Sequence, residues 1–191
     1  MAHQFSTSYL ADSLSLFRMY KSLGEKAMAQ LADEQLTVAI DPESNSIATI
    51  VKHLAGNMFS RWTNFLETDG EKPNRDRDSE FDSPPVTRAE VMQLWDAGWS
   101  RLFAALEPLT DADLGRTVYI RTEPHSVMQA INRQVAHYSS HIGQITFLAK
   151  HFRSSDWKSL SIPRGKSAEF AAKVARGEAP HRMVQGEASQ R

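Results

Sequence analysis

The sequence predicts an all-α protein, a four-helix bundle followed by a short C-terminal arm and helix. Four segments repeat apolar residues at steps of three and four, the spacing of helices that bury one side. Two of them begin with a capping box, in which Ser or Thr and a Glu or Gln three residues later satisfy exposed backbone amides. The 191 residues, 41% of them hydrophobic, suffice for one domain with a buried core. We assign this domain to residues 1–177 and a flexible tail to residues 178–191.

The first two helices are predicted over residues 8–32 and after the turn-prone residues 41–45. The first carries most of its apolar residues along one side, with a single Gly24 inside the pattern. The second carries an apolar line at alternating steps of four and three: Ile47, Val51, Leu54, Met58, Trp62 and Phe65. A line of this kind is typical of the seam by which a helix joins a bundle.

The third and fourth helices are predicted from their capping boxes. Thr87 caps the third together with Glu90, and Ser126 caps the fourth together with Gln129. The fourth has the longest unbroken apolar pattern of the chain and reaches Phe152.

The connections differ in composition. Residues 69–85 are rich in charge, Gly and Pro and predict a surface loop that extends away from the bundle. Residues 36–40 and 117–120 are rich in β-branched residues, which predicts either separate extended segments or a two-stranded ribbon. Residues 157–163 predict an ordered arm with a buried tryptophan, followed by a short helix at residues 167–176.

Composition excludes several classes of function. The 22 Lys and Arg against 23 Asp and Glu give a net charge of -1, so we expect no nucleic-acid partner. No apolar run is long enough to span a membrane, and the first ten residues lack the pattern of a signal peptide. We therefore expect a cytoplasmic protein without a membrane partner. Because the sequence has no Cys, any thiol chemistry requires an external thiol.

Three of the seven histidines share one relation to the predicted helices. His137 and His141 are four residues apart, which places both imidazoles on one side of the fourth helix, within reach of one ion. Each directly precedes a residue of the apolar seam, and His53 precedes Leu54 of the second helix in the same way. A groove between the two helices can therefore collect all three. Hydrogen-bonded core histidines produce the same spacing, so the pattern alone leaves both interpretations open.

Two stretches carry a resemblance to a known superfamily: residues 45–54, NSIATIVKHL, and residues 133–145, RQVAHYSSHIGQI. They resemble the DinB/YfiT superfamily of four-helix metal-binding proteins, and the resemblance extends over residues 8–152. The stretches Arg61-Trp62 and Glu80-Phe81 and the arm are similar to those of an uncharacterised branch. The resemblance implies a divalent ion, zinc or nickel, held by three ligands: His53, His137 and His141. It further implies a homodimer and a reaction that uses a low-molecular-weight thiol.

Five polar residues near the histidines have two interpretations each. Asn57 and Gln144 either face a metal-bound water or satisfy the backbone and solvent. Arg61 and Arg133 either bind an anionic substrate group or pair with a carboxylate of the chain. Glu80 is either a fourth ligand or base, if its loop folds over the groove, or a solvated carboxylate.

Three functional hypotheses follow. The first is a metal-dependent enzyme, a thiol-dependent transferase or a hydrolase acting on a small molecule, because three neutral imidazoles leave a coordination position open. The second is a non-catalytic metal-binding or stress-associated protein in which the ion is structural. The third is an interaction module whose metal site has decayed.

Association is predicted from Trp99, which lies one step off the apolar line of the third helix. An exposed tryptophan there favours a helix-to-helix homodimer. The competing hypothesis is that the arm folds over this surface within one chain.

Overall fold

A computed structural model describes residues 8–178 and confirms the all-α prediction with a helical bundle. The four long helices are α1 Tyr9–Met28, α2 Ile47–Trp62, α3 Arg88–Leu106 and α4 Val127–Arg153, followed by a short α5 Ser167–Ala175. Each long helix begins at a hydroxyl that accepts a hydrogen bond from a first-turn amide: Ser8, Ser46, Thr87 and Ser126. Apart from Glu178, the predicted flexible tail lies outside the described residues.

The helices associate as two pairs that share one core. α1 packs mainly on α4, and α2 packs mainly on α3, whereas α2 and α4 touch each other less. Gly98 of α3 makes the α2–α3 approach close, because a Cβ there would lie 3.1 Å from the Cα of Ala55. The entire apolar line predicted for α2 is buried. Polar side chains, among them those of His53, Asn57 and His137, meet along the smaller α2–α4 contact.

Trp99 lies inside the bundle, with a fully buried side chain. Its ring packs against those of Phe17, Trp95 and Tyr138, with centroids 5.5–6.4 Å apart. It fills the space where α1, α3 and α4 meet, so the exposed tryptophan that favoured a homodimer is absent. The arm does not cover it either.

The arm docks instead on the end of α1. The amide side chain of Gln30 donates to the carbonyl of Lys158 and accepts from its backbone N–H, at 3.1 and 2.9 Å. Trp157 is only partly buried, so the prediction of a buried tryptophan anchor was wrong in degree. Two hydrogen bonds from one side chain and a partly buried ring therefore hold the arm against the bundle.

A two-stranded ribbon precedes α4, but residues 36–40 are not one of its strands. β1 Thr117–Ile120 pairs antiparallel with β2 Glu123–Ser126, whereas residues 36–40 contribute the end of a 3-10 turn, Asp33–Leu36, and then exposed chain. The turn residues Arg121 and Thr122 both have positive φ, as tight hairpins require. Asp69 accepts hydrogen bonds from both of their backbone N–H groups, at 2.9 and 2.7 Å.

The long loop between α2 and α3 does not extend away from the bundle, which corrects the prediction. The Gly70 N–H donates to the carbonyl of Tyr119 at 2.7 Å, and Lys52 of α2 donates to the carbonyls of Ser79 and Asp82. A short 3-10 turn, Asp78–Glu80, then lies directly against α2. The loop therefore covers a side of α2 that would otherwise face solvent. None of the helices among residues 8–178 is long and apolar enough to cross a membrane.

The burial of Trp99 predicts the effect of replacing it. Trp99→Glu should destabilise the fold by at least about 3 kcal/mol, because it leaves a cavity and buries a charge. Urea unfolding followed by circular dichroism measures this. Phe147→Glu, at a ring that is 63% exposed on α4, should change stability by less than about 0.5 kcal/mol. Equal stability of the Trp99 variant and the unsubstituted chain would place this ring outside the core.

Candidate metal centre

The three histidines singled out from the sequence come together where α2 faces α4. His53 projects from α2, and His137 and His141 project from successive turns of α4. His53 is 5% exposed, and the other two are partly buried. One ring nitrogen from each lies within 4.8 Å of the others, so the group could hold a metal ion.

The nitrogens that converge are the Nε2 atoms. The His137 Nε2 lies 3.3 Å from that of His53 and 3.1 Å from that of His141. An ion bound tetrahedrally to imidazoles at 2.0–2.1 Å would space its nitrogen ligands about 3.3–3.4 Å apart. The residues present therefore fit a divalent ion with little movement.

The other nitrogen of each ring, Nδ1, has its own acceptor. Nδ1 of His53 lies 2.8 Å from Glu80 Oε2, Nδ1 of His141 lies 2.8 Å from Gln144 Oε1, and Nδ1 of His137 lies 3.3 Å from Gln134 Oε1. Because these oxygens only accept, each neutral ring carries its proton on Nδ1 and turns the Nε2 lone pair inward. Three lone pairs facing one another repel unless a cation lies between them.

Burial keeps the His137 and His141 rings in the neutral form. It lowers the pKa of His137 to about 3, and the neighbouring His141 and His53 act in the same direction. Burial also lowers the pKa of His141, against the effect of its hydrogen bond to Gln144. Two of the three rings are therefore neutral and able to bind a metal at physiological pH without first losing a proton.

Glu80 is a buried carboxylate, not a solvated one. Arg75 donates to both of its oxygens, from Nε at 2.7 Å and from Nη2 at 2.9 Å. Burial opposes ionisation, but the hydrogen bonds from His53 and Arg75 outweigh it and lower the pKa of Glu80. The carboxylate lies behind His53 and orients the ring, so it is not a fourth ligand in this arrangement.

Gly56 makes room for that carboxylate. It follows His53 by three residues on α2, and a Cβ built on it would overlap the Glu80 side chain. The absence of a side chain at this one position lets the loop carboxylate reach the histidine across the helix surface.

Asn57 belongs to a buried chain of hydrogen bonds beside the histidines. Trp62 Nε1 donates to the Tyr138 hydroxyl, which in turn donates to Asn57 Oδ1, both at 3.0 Å. Burial raises the pKa of Tyr138, so this hydroxyl stays protonated. The chain links α2 to α4 next to His137 and leaves the Asn57 oxygen occupied.

The two arginines considered from the sequence lie in different environments. Arg61 is 5% exposed, and its nearest carboxylate oxygen, from Glu71, is 3.7 Å from Nη2. Arg133 is exposed and makes no ion pair with any residue among 8–178. Both line the cavity onto which the three histidines open, which has a volume of about 400 Å³.

Sequence reasoning missed three residues of this site. Gln134 precedes His137 by three residues and so mirrors Gln144, which follows His141 by three, and this symmetry was visible in the sequence. Arg75 and the stacking role of Phe81, whose ring centroid lies 5.0 Å from that of His53, left no such signal. Both lie on the loop, where position depends on contacts distant in sequence.

Fold and site together define a helical-bundle protein with a three-histidine group that could hold a metal ion. The chain matches the family described as Protein of unknown function (DUF1572) over residues 4–166, and it belongs to that family. This agrees with the expectation of an uncharacterised family. No curated protein matches the chain.

Gly56 gives a test of the contact between Glu80 and His53. Gly56→Ala should displace the carboxylate and weaken zinc binding by about 10–100-fold, because His53 loses the acceptor that orients it. Competition with a chromophoric chelator measures the affinity. Gly143→Ala is the matched control on α4, since a Cβ there meets nothing within 4 Å, and its zinc affinity should not change. Equal affinities of the two variants would show that Glu80 does not orient the ligand.

Proposed function

We propose that this protein is a metal-dependent enzyme that binds one divalent ion through His53, His137 and His141 and acts on a small molecule. The observation that carries the proposal is the convergence of three Nε2 lone pairs at the wall of an open cavity. A closed structural site uses four protein ligands, whereas three ligands beside a cavity leave a position for water or substrate. Zinc and nickel, which the resemblance to the DinB/YfiT superfamily implies, are among the ions that imidazole ligands suit.

A bound ion would supply Lewis acidity, which lowers the pKa of a water or an external thiol at the open position. The chain supplies the orientation. Glu80, Gln134 and Gln144 hold the tautomers, and Phe81 stacks on His53 and shields one side of it from water. Glu80 is fully paired with Arg75 and His53, so we give it a positioning role and assign no residue as general base.

The resemblance to the DinB/YfiT superfamily supports a thiol-dependent transferase, with a hydrolase as the other reaction of the same site. Because the chain has no Cys, the thiol would be a separate small molecule. The homodimer that the resemblance implies is also a proposal. Trp99 does not support it, because this side chain is buried within one chain. Light scattering at tens of micromolar protein measures the oligomeric state directly.

A structural role for the ion is the alternative, and one observation favours it. α2 and α4 touch each other less than the α1–α4 and α2–α3 pairs do, so an ion between them would join the two halves of the bundle. In that case metal would raise stability while turnover would be absent. A decayed site is less well supported, because each of the three histidines has a hydrogen-bond partner that orients its ring.

The ligand assignment predicts loss of metal from single variants. His53→Ala, His137→Ala and His141→Ala should each abolish stoichiometric zinc binding at micromolar concentrations, because each removes one of only three protein ligands. Metal analysis of protein purified without a His tag measures the stoichiometry. His151→Ala, at an exposed position on α4, is the control and should retain one ion per chain. Full occupancy in all three ligand variants would refute the site.

The same variants test the reaction. The metal-loaded protein is incubated with a low-molecular-weight thiol and an electrophile while thiol consumption is followed, and ester hydrolysis is followed without thiol. We expect turnover that vanishes in His137→Ala and persists in His151→Ala. Metal binding without turnover in either assay would favour the structural alternative.

Metal removal should lower stability without unfolding the chain. An ion present at about 1,000 times its Kd contributes about 4 kcal/mol, so chelation should lower the melting temperature by about 10 °C. The helical circular dichroism spectrum should persist, because the apolar core does not include the ion. A chelated protein with a random-coil spectrum would show that the bundle depends on the metal.

A further inference from the structure

The cavity beside the three histidines has a strongly cationic wall. Five arginines line it, and no Asp or Glu is among its lining residues: Arg61, Arg75, Arg77, Arg121 and Arg133. Glu71 and Glu80 accept hydrogen bonds from arginine side chains of this wall, and Asp69 accepts from the Arg121 backbone N–H. The arginines therefore outnumber the carboxylates that compensate them, before any metal charge is added.

Three of the five arginines make interactions within the chain that explain their positions. Arg75 is bonded to Glu80 and Glu71, and Arg121 donates to Glu71 at 3.3 Å. Arg77 lies over the ring of Phe81, 5.6 Å from its centroid. These side chains build the wall without requiring a ligand.

The interactions of Arg61 within the chain leave its guanidinium incompletely paired. It lies eight residues after His53 on α2, and its Nε and Nη1 are buried without a hydrogen-bond partner. Among residues 8–178 its one ion pair is with Glu71, 3.7 Å from Nη2, and Glu71 already accepts from Arg75 and Arg121. A guanidinium buried without full pairing destabilises a fold, which indicates that a partner is missing from the chain itself.

Arg133 supplies a second cation at the same cavity. It lies one turn before His137 on α4, with no ion pair to any residue between 8 and 178. Its charge acts on Arg61 and, after burial, helps to lower the pKa of that guanidinium. The two facing helices thus carry, beside the histidines, one incompletely paired guanidinium group and one without an ion pair among residues 8–178, and such groups suit an oxyanion.

We propose that this cavity binds the carboxylate or phosphate group of an anionic small molecule through Arg61 and Arg133. The inference rests on the proposed function and names its substrate class. The anionic end lies against the arginines, and the reacting end lies toward the histidines. The volume of about 400 Å³ fits a metabolite-sized molecule. Because the two arginines bind the negative charge, an anion should bind more tightly than its neutral analogue.

The test uses the zinc-loaded full chain at constant ionic strength, with binding measured by calorimetry. Inorganic phosphate and malonate probe the two oxyanions, and malonamide is the neutral analogue of malonate. We expect at least one oxyanion to bind and malonamide not to bind. The stronger of phosphate and malonate identifies the group. Equal binding of malonate and malonamide, or binding of neither oxyanion, would overturn the inference.

Variants assign the binding to the arginines. Arg133→Gln, at an exposed position, should weaken oxyanion binding about 10-fold or more, as expected for loss of a charged hydrogen bond. Arg101→Gln is the control, because this exposed arginine lies on α3 outside the cavity and loses the same charge. Equal affinities of the two variants would show that the oxyanion binds the metal alone or another site, and would overturn the inference.

Substitution of Arg61 distinguishes a role in binding from a role in stability. Arg61→Met should abolish oxyanion binding while the melting temperature of the variant stays equal to that of the unsubstituted chain or rises, because an incompletely paired buried charge is removed. A large fall in melting temperature would assign Arg61 a structural role and remove it from the receptor. Zinc content is measured in every sample. Lost oxyanion binding with zinc in place tests this inference, whereas absence of zinc from the unsubstituted chain tests the metal centre.

Discussion

The buried carboxylate of Glu80 is the constraint on which the site depends. A charge removed from water must be paired, and here Arg75 and His53 satisfy both of its oxygens. To make these bonds the loop after α2 has to return to the bundle, which in turn requires a glycine at position 56. The returning loop brings Phe81 onto the ring of His53. One ion-pair network therefore fixes one ring of the three-histidine group, the wall of the cavity and the path of the loop between α2 and α3.

This return also explains the unusual burial of α2. Thirteen of its 16 residues are buried, including His53, Asn57, Ser60 and Arg61, although a bundle helix normally exposes one side. Its apolar line packs on α3 and the core, while its polar side is covered by the loop and by α4. Except at Arg61, whose Nε and Nη1 have no hydrogen-bond partner, the polar side can be buried because its groups have partners. Ser60, for example, donates to the Gly70 carbonyl and accepts from the Lys72 N–H, both at 3.0 Å.

Stability and site chemistry are thus located in different contacts. The α1–α4 and α2–α3 pairs carry the apolar packing, with Trp99 filling the space where three helices meet. The α2–α4 contact carries imidazoles, amides and guanidinium groups, several of which place like charges or lone pairs close together. Such an arrangement lowers stability locally, and a bound cation and a bound anion would each relieve part of it. The apolar pairs make this local cost tolerable.

The sequence by itself determined the α class, the four long helices, the caps of α3 and α4, and the three candidate histidines, because each depends on a pattern within one segment. The sequence could also have indicated Gln134 and Gln144, because each lies three residues from its histidine on the same helix. Only the tertiary structure decided that Glu80 lies behind His53, that Trp99 is buried and that β1 pairs with β2. A run of charged loop residues is indistinguishable from a solvated surface until another part of the chain removes it from water. That burial depends on contacts between positions as distant as residues 53 and 80, and no local pattern encodes them.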